Sequence, residues 1–272
     1  MWKQAQLIAA FLLLCFADAA SAPAVQEPQL TEDQIRQFLL TAKVMDSRPA
    51  KKGITNTLRL TLSDGNITHD ASFQSIDEHK PRFEGENGTV ELNFVDSYKY
   101  NIAAYELAKL LGLGDMMPVT VLRKYAGNSG SLSWWLPVQM DEETRMKKNI
   151  LPPDPEAWNN QMYKKRVFAE LVYDTDSANV TNVLISKDWH LWMIDFSRAF
   201  RRYHDLRNPK NLVKCDRRLL ENLRKLDEKE LTEKTQDLLI KPEVQGVMAR
   251  RDKIVKAFEN LIAQKGEKEV LY

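Results

Sequence analysis

The spacing of apolar residues changes character partway along this chain, and that change restricts the folds open to it. In the first half Leu58, Leu60 and Leu62 alternate with Arg59 and Thr61, the period of a strand with one buried face. Towards the end Val244, Val247, Met248, Ile254, Val255, Phe258, Leu261 and Ile262 keep the spacing of a helix, and Gly266 stops it. Strands followed by helices, rather than strands alternating with helices, predict an α+β architecture.

The first half reads as follows. Thr31 starts a helix with Gln34 as the partner in a capping box. Ile35, Phe38, Leu39 and Ala42 lie on its apolar face, and the break comes at Pro49 to Gly53. Asp64-Gly65 turns the 58–62 strand back into a second strand over 67–76, and Asn87-Gly88 suggests another hairpin leading into 90–94. A helix over 97–111 follows, with Ile102, Tyr105, Leu107 and Leu110 inward and Gly112 and Gly114 ending it. A strand pair over 119–124 and 131–138 is joined by Gly-Asn-Ser-Gly. The polar, Pro-bearing stretch 141–160 reads as a connection, and a helix over 162–173 opens the second half.

The N-terminus has the three-part plan of a secretory signal. Lys3 is followed by an apolar run from Leu7 to Ala17 and by the small residues Ala19-Ala20-Ser21-Ala22. The division expected is a signal over 1–22, a linker over 23–30, an N-terminal lobe over 31–140, a connection over 141–160 and a C-terminal lobe over 161–272. Secretion or delivery to a periplasm is the implied destination, with no membrane span once the signal is cut. Cleavage would remove Cys15 and leave Cys215 alone, so no internal disulfide can brace the mature chain. The net charge of +1 gives no footprint for nucleic acid, and the four His lack zinc-ligand spacing.

Phe168 to Arg202 carries the chemistry. A polar loop, Asp174-Thr175-Asp176-Ser177-Ala178-Asn179-Val180-Thr181, leads to Asn182. Val183 to Ser186 and Trp189 to Ile194 form a β-ribbon around a Lys187-Asp188 turn, ending at Asp195. With that turn Asn182 falls opposite Met193, and an amide oxygen and a carboxylate emerge at one open end beside Asp176. Such a sparse oxygen set suits Mg²⁺ held through a polyphosphate, and a further Asp can orient a hydroxyl.

This pattern resembles the atypical branch of the kinase superfamily, which includes HipA-like, phosphatidylinositol 3/4-kinase-like and secretory-pathway kinases. The resemblance is carried by Asp176, Asn182 and Ile194-Asp195-Phe196-Ser197, with Asn101-Ile102-Ala103-Ala104-Tyr105-Glu106-Leu107 similar to the small-lobe helix. It implies a two-lobed protein-kinase-like fold, a small β-rich lobe before a larger helical one. It implies Asp176 as catalytic residue, Asn182 and Asp195 as metal ligands, and Mg²⁺ or Mn²⁺ with ATP as cofactors. The partners implied are a nucleotide and a protein or small-molecule hydroxyl acceptor.

The chain departs from that pattern in several places. Asp176 and Asn182 are six residues apart where five is usual, and Ser177 holds the five-apart position. Gln74 stands nearest the place of the phosphate-binding Lys and Asn101 at that of its Glu partner. Lys80 or Lys99 with Glu91 or Glu106 are the available replacements, so Gln74, Lys99 and Glu106 are the candidate nucleotide contacts. Gly53 stands alone where a Gly-rich loop belongs. A non-catalytic pseudokinase or scaffold module of the cell envelope is the alternative. Arg198, Arg201 and Arg202 read as solvated surface, and Asn66, Asn87 and Asn179 fit the glycosylation acceptor pattern.

Overall fold

The computed structural model describes residues 30–50, 57–85, 88 and 90–272. Glu32–Tyr272 forms one compact unit, and everything below concerns it. Among the described residues no helix is long and apolar enough to cross a membrane.

Helix α1 (Glu32–Thr41) ends eight residues before Pro49, shorter than the sequence suggested. Lys43–Pro49 is instead strand β1, at the edge of the main sheet against β2 (Leu58–Ser63). Its exposed, charged residues carry no alternation strong enough to announce a strand. Pairing with β2 makes it one, with a bulge between Val44 and Asp46. The Arg123 guanidinium donates to the carbonyls of Leu39 and Ala42, both at 2.5 Å, satisfying the end of α1 that no glycine caps.

The sheet continues through β3 (Thr68–Gln74), and β4 (Asp77–Glu84) and β5 (Val90–Ser97) make a separate two-stranded ribbon. The Asp64-Gly65 turn forms as expected, with the Asp64 carboxylate accepting from the amides of Asn66 and Ile67. The other expected turn includes Asn87, which lies outside the described residues, as does Gly53. Helix α2 (Tyr98–Leu110) closes in a Schellman motif: Leu113 N–H donates to Ala108 C=O at 2.8 Å, and Gly112 sits at φ +71°.

Strands β6 (Thr120–Tyr125) and β7 (Asn128–Trp134) complete an antiparallel sheet of order β1-β2-β3-β7-β6. Their turn is Ala126-Gly127, both at positive φ, and not the four-residue turn read from the sequence. Gly130 therefore lies inside β7, where a Cβ would sit 2.5 Å from the Gln74 carbonyl oxygen and 2.6 Å from the Phe73 ring.

The chain then crosses to a second sheet. Strand β8 (Val138–Asp141) pairs with β9 (Val183–Ser186), which pairs with β10 (Leu191–Met193). The polar stretch read as a connection contains helix α3 (Glu142–Lys147), capped by Asp141, and the start of α4 (Pro155–Leu171), where Asp154 caps and Pro155 opens the first turn. Helices α5 (Arg217–Lys225), α6 (Glu228–Lys234), α7 (Lys241–Lys265) and α8 (Glu267–Val270) complete the second half. Gly266, at φ +85°, ends α7 as expected.

Two cores follow from this arrangement. The smaller lies between α1 and the five-stranded sheet, from Phe38 and Leu39 to Leu60, Leu62, Phe73, Val121 and Leu132. The larger joins α4, α5, α7 and the β9–β10 ribbon. Helix α2 packs into this larger core, with Tyr100, Ala103, Ala104, Tyr105, Leu107 and Ala108 buried. A helix enclosed on several sides serves as the beam between the two parts, which is why its apolar residues are not confined to one stripe.

Candidate active site

A cleft of about 2140 Å³ opens between the five-stranded sheet and the β8–β9–β10 sheet. Asp176, Asn182 and Asp195 all line it, and so do Gln74, Asp96 and Asn101. Met117, Leu136, Leu184 and Met193 give it an apolar side.

The ribbon that delivers Asn182 and Asp195 has a register one residue away from the expected one. Met193 pairs with Val183 and Leu191 with Ile185. The loop has three residues, because Ser186 Oγ donates to Asp188 at 2.5 Å and Trp189 takes a left-handed φ of +64°. Asn182 consequently faces Ile194, whose N–H donates to the Asn182 carbonyl at 3.1 Å. The two polar residues still leave the same end of the ribbon, since a shift of one moves the partner and not the end.

The six-residue spacing is absorbed by a bulge. The Asp176 N–H donates to Asp174 Oδ1 at 2.9 Å, and a single 3₁₀ turn over Val180–Asn182 takes up the extra residue. Asn179 accepts from Thr181 N–H and Oγ1 and caps that turn. Asp176 Oδ2 then accepts from both the Asn179 and the Asn182 amides, each at 3.0 Å. Ser177, at the five-apart position, faces away: its hydroxyl accepts from Arg207 at 2.9 Å and its carbonyl from Lys165 Nζ at 2.7 Å. The Asn179 nitrogen that a glycan would occupy is thus engaged on Asp176.

Asp195 is held in the left-handed region, φ +58°. Ser197 Oγ donates to its Oδ1 at 2.9 Å and Gln74 supplies a further hydrogen bond. Burial raises its pKa above the ordinary carboxylate value, and the Asp176 charge adds to the rise. Burial likewise raises Asp96, and it pushes Asp174 up to about 6 with help from Asp176 and Asp195. A buried carboxylate oxygen with no donor among the described residues, Oδ1 of Asp96, lies in the same region. Among the described residues no three His, Cys, Asp or Glu converge as a self-sufficient metal cage. The desolvated, mutually repelling carboxylates with one amide oxygen do fit a divalent ion whose remaining positions are filled by phosphate and water.

Where the resemblance implies a lysine and a glutamate, this chain forms a neutral amide pair. Asn101 Nδ2 donates to Gln74 Oε1, and Asn101 Oδ1 accepts from the Phe196 N–H at 2.7 Å. The small sheet, α2 and the segment after Asp195 are therefore tied together without a charge. The structure does not bring Lys99 or Glu106 to the cleft. Lys99 Nζ lies 3.7 Å from Asp77 at the ribbon end. Glu106 faces away from the cleft, bonded to Arg36 at 2.5 Å with Lys109 nearby, because it lies on the opposite side of α2 from Asn101. Lys80 pairs with Glu78. Glu91 takes Arg198 at 3.2 Å and Arg201 at 2.5 Å, so Arg201, only 4% exposed, is no surface residue. Sequence reasoning missed Asp96 and Asn179. Nothing local marks Asp96, while Asn179 could have been found as the only Asn between Asp176 and Asn182.

No protein-family model and no curated protein matches the sequence. Solved structures do match. The structure of hydra Fam20 with sugar matches with a TM-score of 0.63 at 12% identity, over 88% of this chain and 91% of that one. The Golgi casein kinase matches with a TM-score of 0.62 at 12% identity, over 88% of this chain and 77% of that one. Its structure with Mn/ADP bound gives 0.59 at 11% identity, over 88% and 78%. The Helicobacter pylori proinflammatory kinase CtkA gives 0.51 at 10% identity, over 84% and 98%. At these identities the likeness establishes the fold: the chain has the two-lobed atypical kinase fold, a small β-rich lobe before a larger helical one.

Proposed function

We propose that this chain is an exported, ATP-dependent phosphotransferase that phosphorylates a hydroxyl group. The observation that carries the reading is the convergence of Asp176, Asn182 and Asp195 on one cleft, with Asn182 bonded to Asp176 despite the altered spacing. The fold shared with kinases, one of them solved with Mn/ADP, supports it. Export rests on the N-terminal sequence pattern.

Asn182 and Asp195 would hold Mg²⁺ or Mn²⁺, and the ion would supply positive charge against the transferring phosphoryl group. Asp176 receives the acceptor: its Oδ2 is fixed by two amides, and its carboxylate takes the hydroxyl proton as the acceptor oxygen bonds to the γ-phosphorus and ADP departs. Gln74 and Asn101 position Asp195 and the Phe196 backbone instead of contributing charge. Meanwhile Met117, Leu136, Leu184 and Met193 offer the base an apolar wall.

The test is transfer of labelled phosphate from ATP with Mg²⁺ or Mn²⁺, to the chain itself or to an added acceptor. Asp195→Ala is expected to reduce the rate by at least about a hundredfold. No transfer by the wild type with either metal would sink the phosphotransferase reading. The uncharged Gln74–Asn101 pair favours a second reading, a pseudokinase that binds nucleotide without turnover. Its signature is a thermal shift with ATP and metal but no transfer.

A further inference from the structure

Asp96 is a buried carboxylate of the cleft to which the mechanism above gives no task. It stands at the end of β5, 7% exposed, and lines the cleft. The neighbouring Ser97 N–H donates to the Ser197 carbonyl at 2.8 Å, which fixes β5 against the segment that follows Asp195. Asp96 Oδ1 is enclosed and receives no hydrogen bond from the described residues.

The Ser197 hydroxyl shows what is missing. It donates to Asp195 Oδ1 at 2.9 Å and is also a hydrogen-bonding partner of the Asp96 carboxylate. One hydroxyl carries one proton, so it cannot donate to both. Two desolvated carboxylates thus compete for the Ser197 hydroxyl, and Asp195 has Gln74 as a further donor while Oδ1 of Asp96 receives none among the described residues. The charges around Asp96 do not relieve the conflict. Asp195 and Glu78 repel it, and the attracting Arg198 is paired with Glu91. Something positive, a proton or a metal ion, belongs between Asp96 and Asp195.

We infer that Asp96 and Asp195 together bind a divalent cation in the absence of nucleotide, so that the cleft is loaded with metal before polyphosphate enters. The inference rests on the reading of Asp195 as a cation ligand. An oxygen-only set with Asn182 close by suits a hard divalent ion. The neutral Gln74–Asn101 pair gives the same order a reason. A polyphosphate entering the metal-free cleft would meet Asp96, Asp176 and Asp195; among the described residues the small sheet lines the cleft with no lysine, and its Arg48 and Arg59 are already paired with Asp70.

The experiment is a titration of the purified full chain with Mn²⁺ at neutral pH without nucleotide, following the free Mn²⁺ signal by electron paramagnetic resonance. One bound Mn²⁺ per chain is expected, weakened at least about tenfold in Asp96→Asn and in Asp96→Ala. Absence of binding by the wild type, or unchanged affinity in whichever variant keeps the wild-type circular dichroism, would overturn the inference; unchanged affinity would leave a proton on Asp96 as the answer. Adding ATP to the Mn²⁺-loaded protein separates the two readings. Metal bound with no ATP-dependent thermal shift sinks the phosphotransferase and leaves the Asp96 site standing.

Discussion

Asp174 shows how far the environment of one side chain can depart from what its sequence context suggests. In the sequence it opens a polar loop; in the structure it is 6% exposed, and burial brings its pKa from 3.8 to about 6. Its folded value is raised, so the native state holds the proton more tightly than the unfolded chain. Its contribution to stability is full below pH 4, falls as pH rises towards 6, and leaves a constant penalty above that. The rise corresponds to about 3 kcal/mol. Asp174→Asn keeps an acceptor for the Asp176 N–H and removes the charge. In chelator it should be about 1–3 kcal/mol more stable than the wild type at pH 8 and level with it below pH 4. Urea denaturation across that range checks this, and a parallel pair of curves would contradict it.

Elements depend on pairings that are distant in sequence. Strand β1 was missed, and the β9–β10 register differed by one, because an edge strand and a three-residue loop are settled by partners and not by local pattern. Gly130 makes the same point energetically. It looked like part of a turn, yet it is where β7 passes close to Gln74 and Phe73. Gly130→Ala would force β3 and β7 apart at the residue that bonds Asp195. The expected cost is about 1–3 kcal/mol, with a smaller thermal shift on adding ATP and Mn²⁺. Unchanged stability and an unchanged shift would show that the strands give way freely. The helices were more legible. The apolar spacing of α7 and the stop at Gly266 are local properties, and both appear where the sequence put them.

For the whole molecule, the link between the helical half and the cleft passes through Arg250. It is fully buried on α7, and its guanidinium donates to the carbonyls of Leu171 at 2.7 Å, of Arg201 at 2.9 Å and of Tyr203. Those carbonyls belong to the end of α4 and to the segment after Asp195, the two stretches that flank the site. Burial lowers its pKa to about 10, so it stays charged at neutral pH. Arg250→Met leaves three carbonyls without their donor and should cost about 3 kcal/mol; Arg250→Lys should not rescue it, because an ammonium cannot span the fork. Thermal denaturation measures both, and a loss under 0.5 kcal/mol would remove Arg250 from this role.

The order of strands before helices, the α7 helix and the Asp176, Asn182 and Asp195 triplet were legible from the chain alone. Each depends on periodicity or on neighbours within about twenty residues, which the local pattern encodes. The amide pair of Gln74 and Asn101, the exclusion of Lys99 and Glu106 from the cleft and the burial of Asp96 were settled only when distant segments packed. Which face of a helix meets a strand 27 residues away in sequence, and which carboxylate loses its water, are decided by the packing that the whole chain forms together.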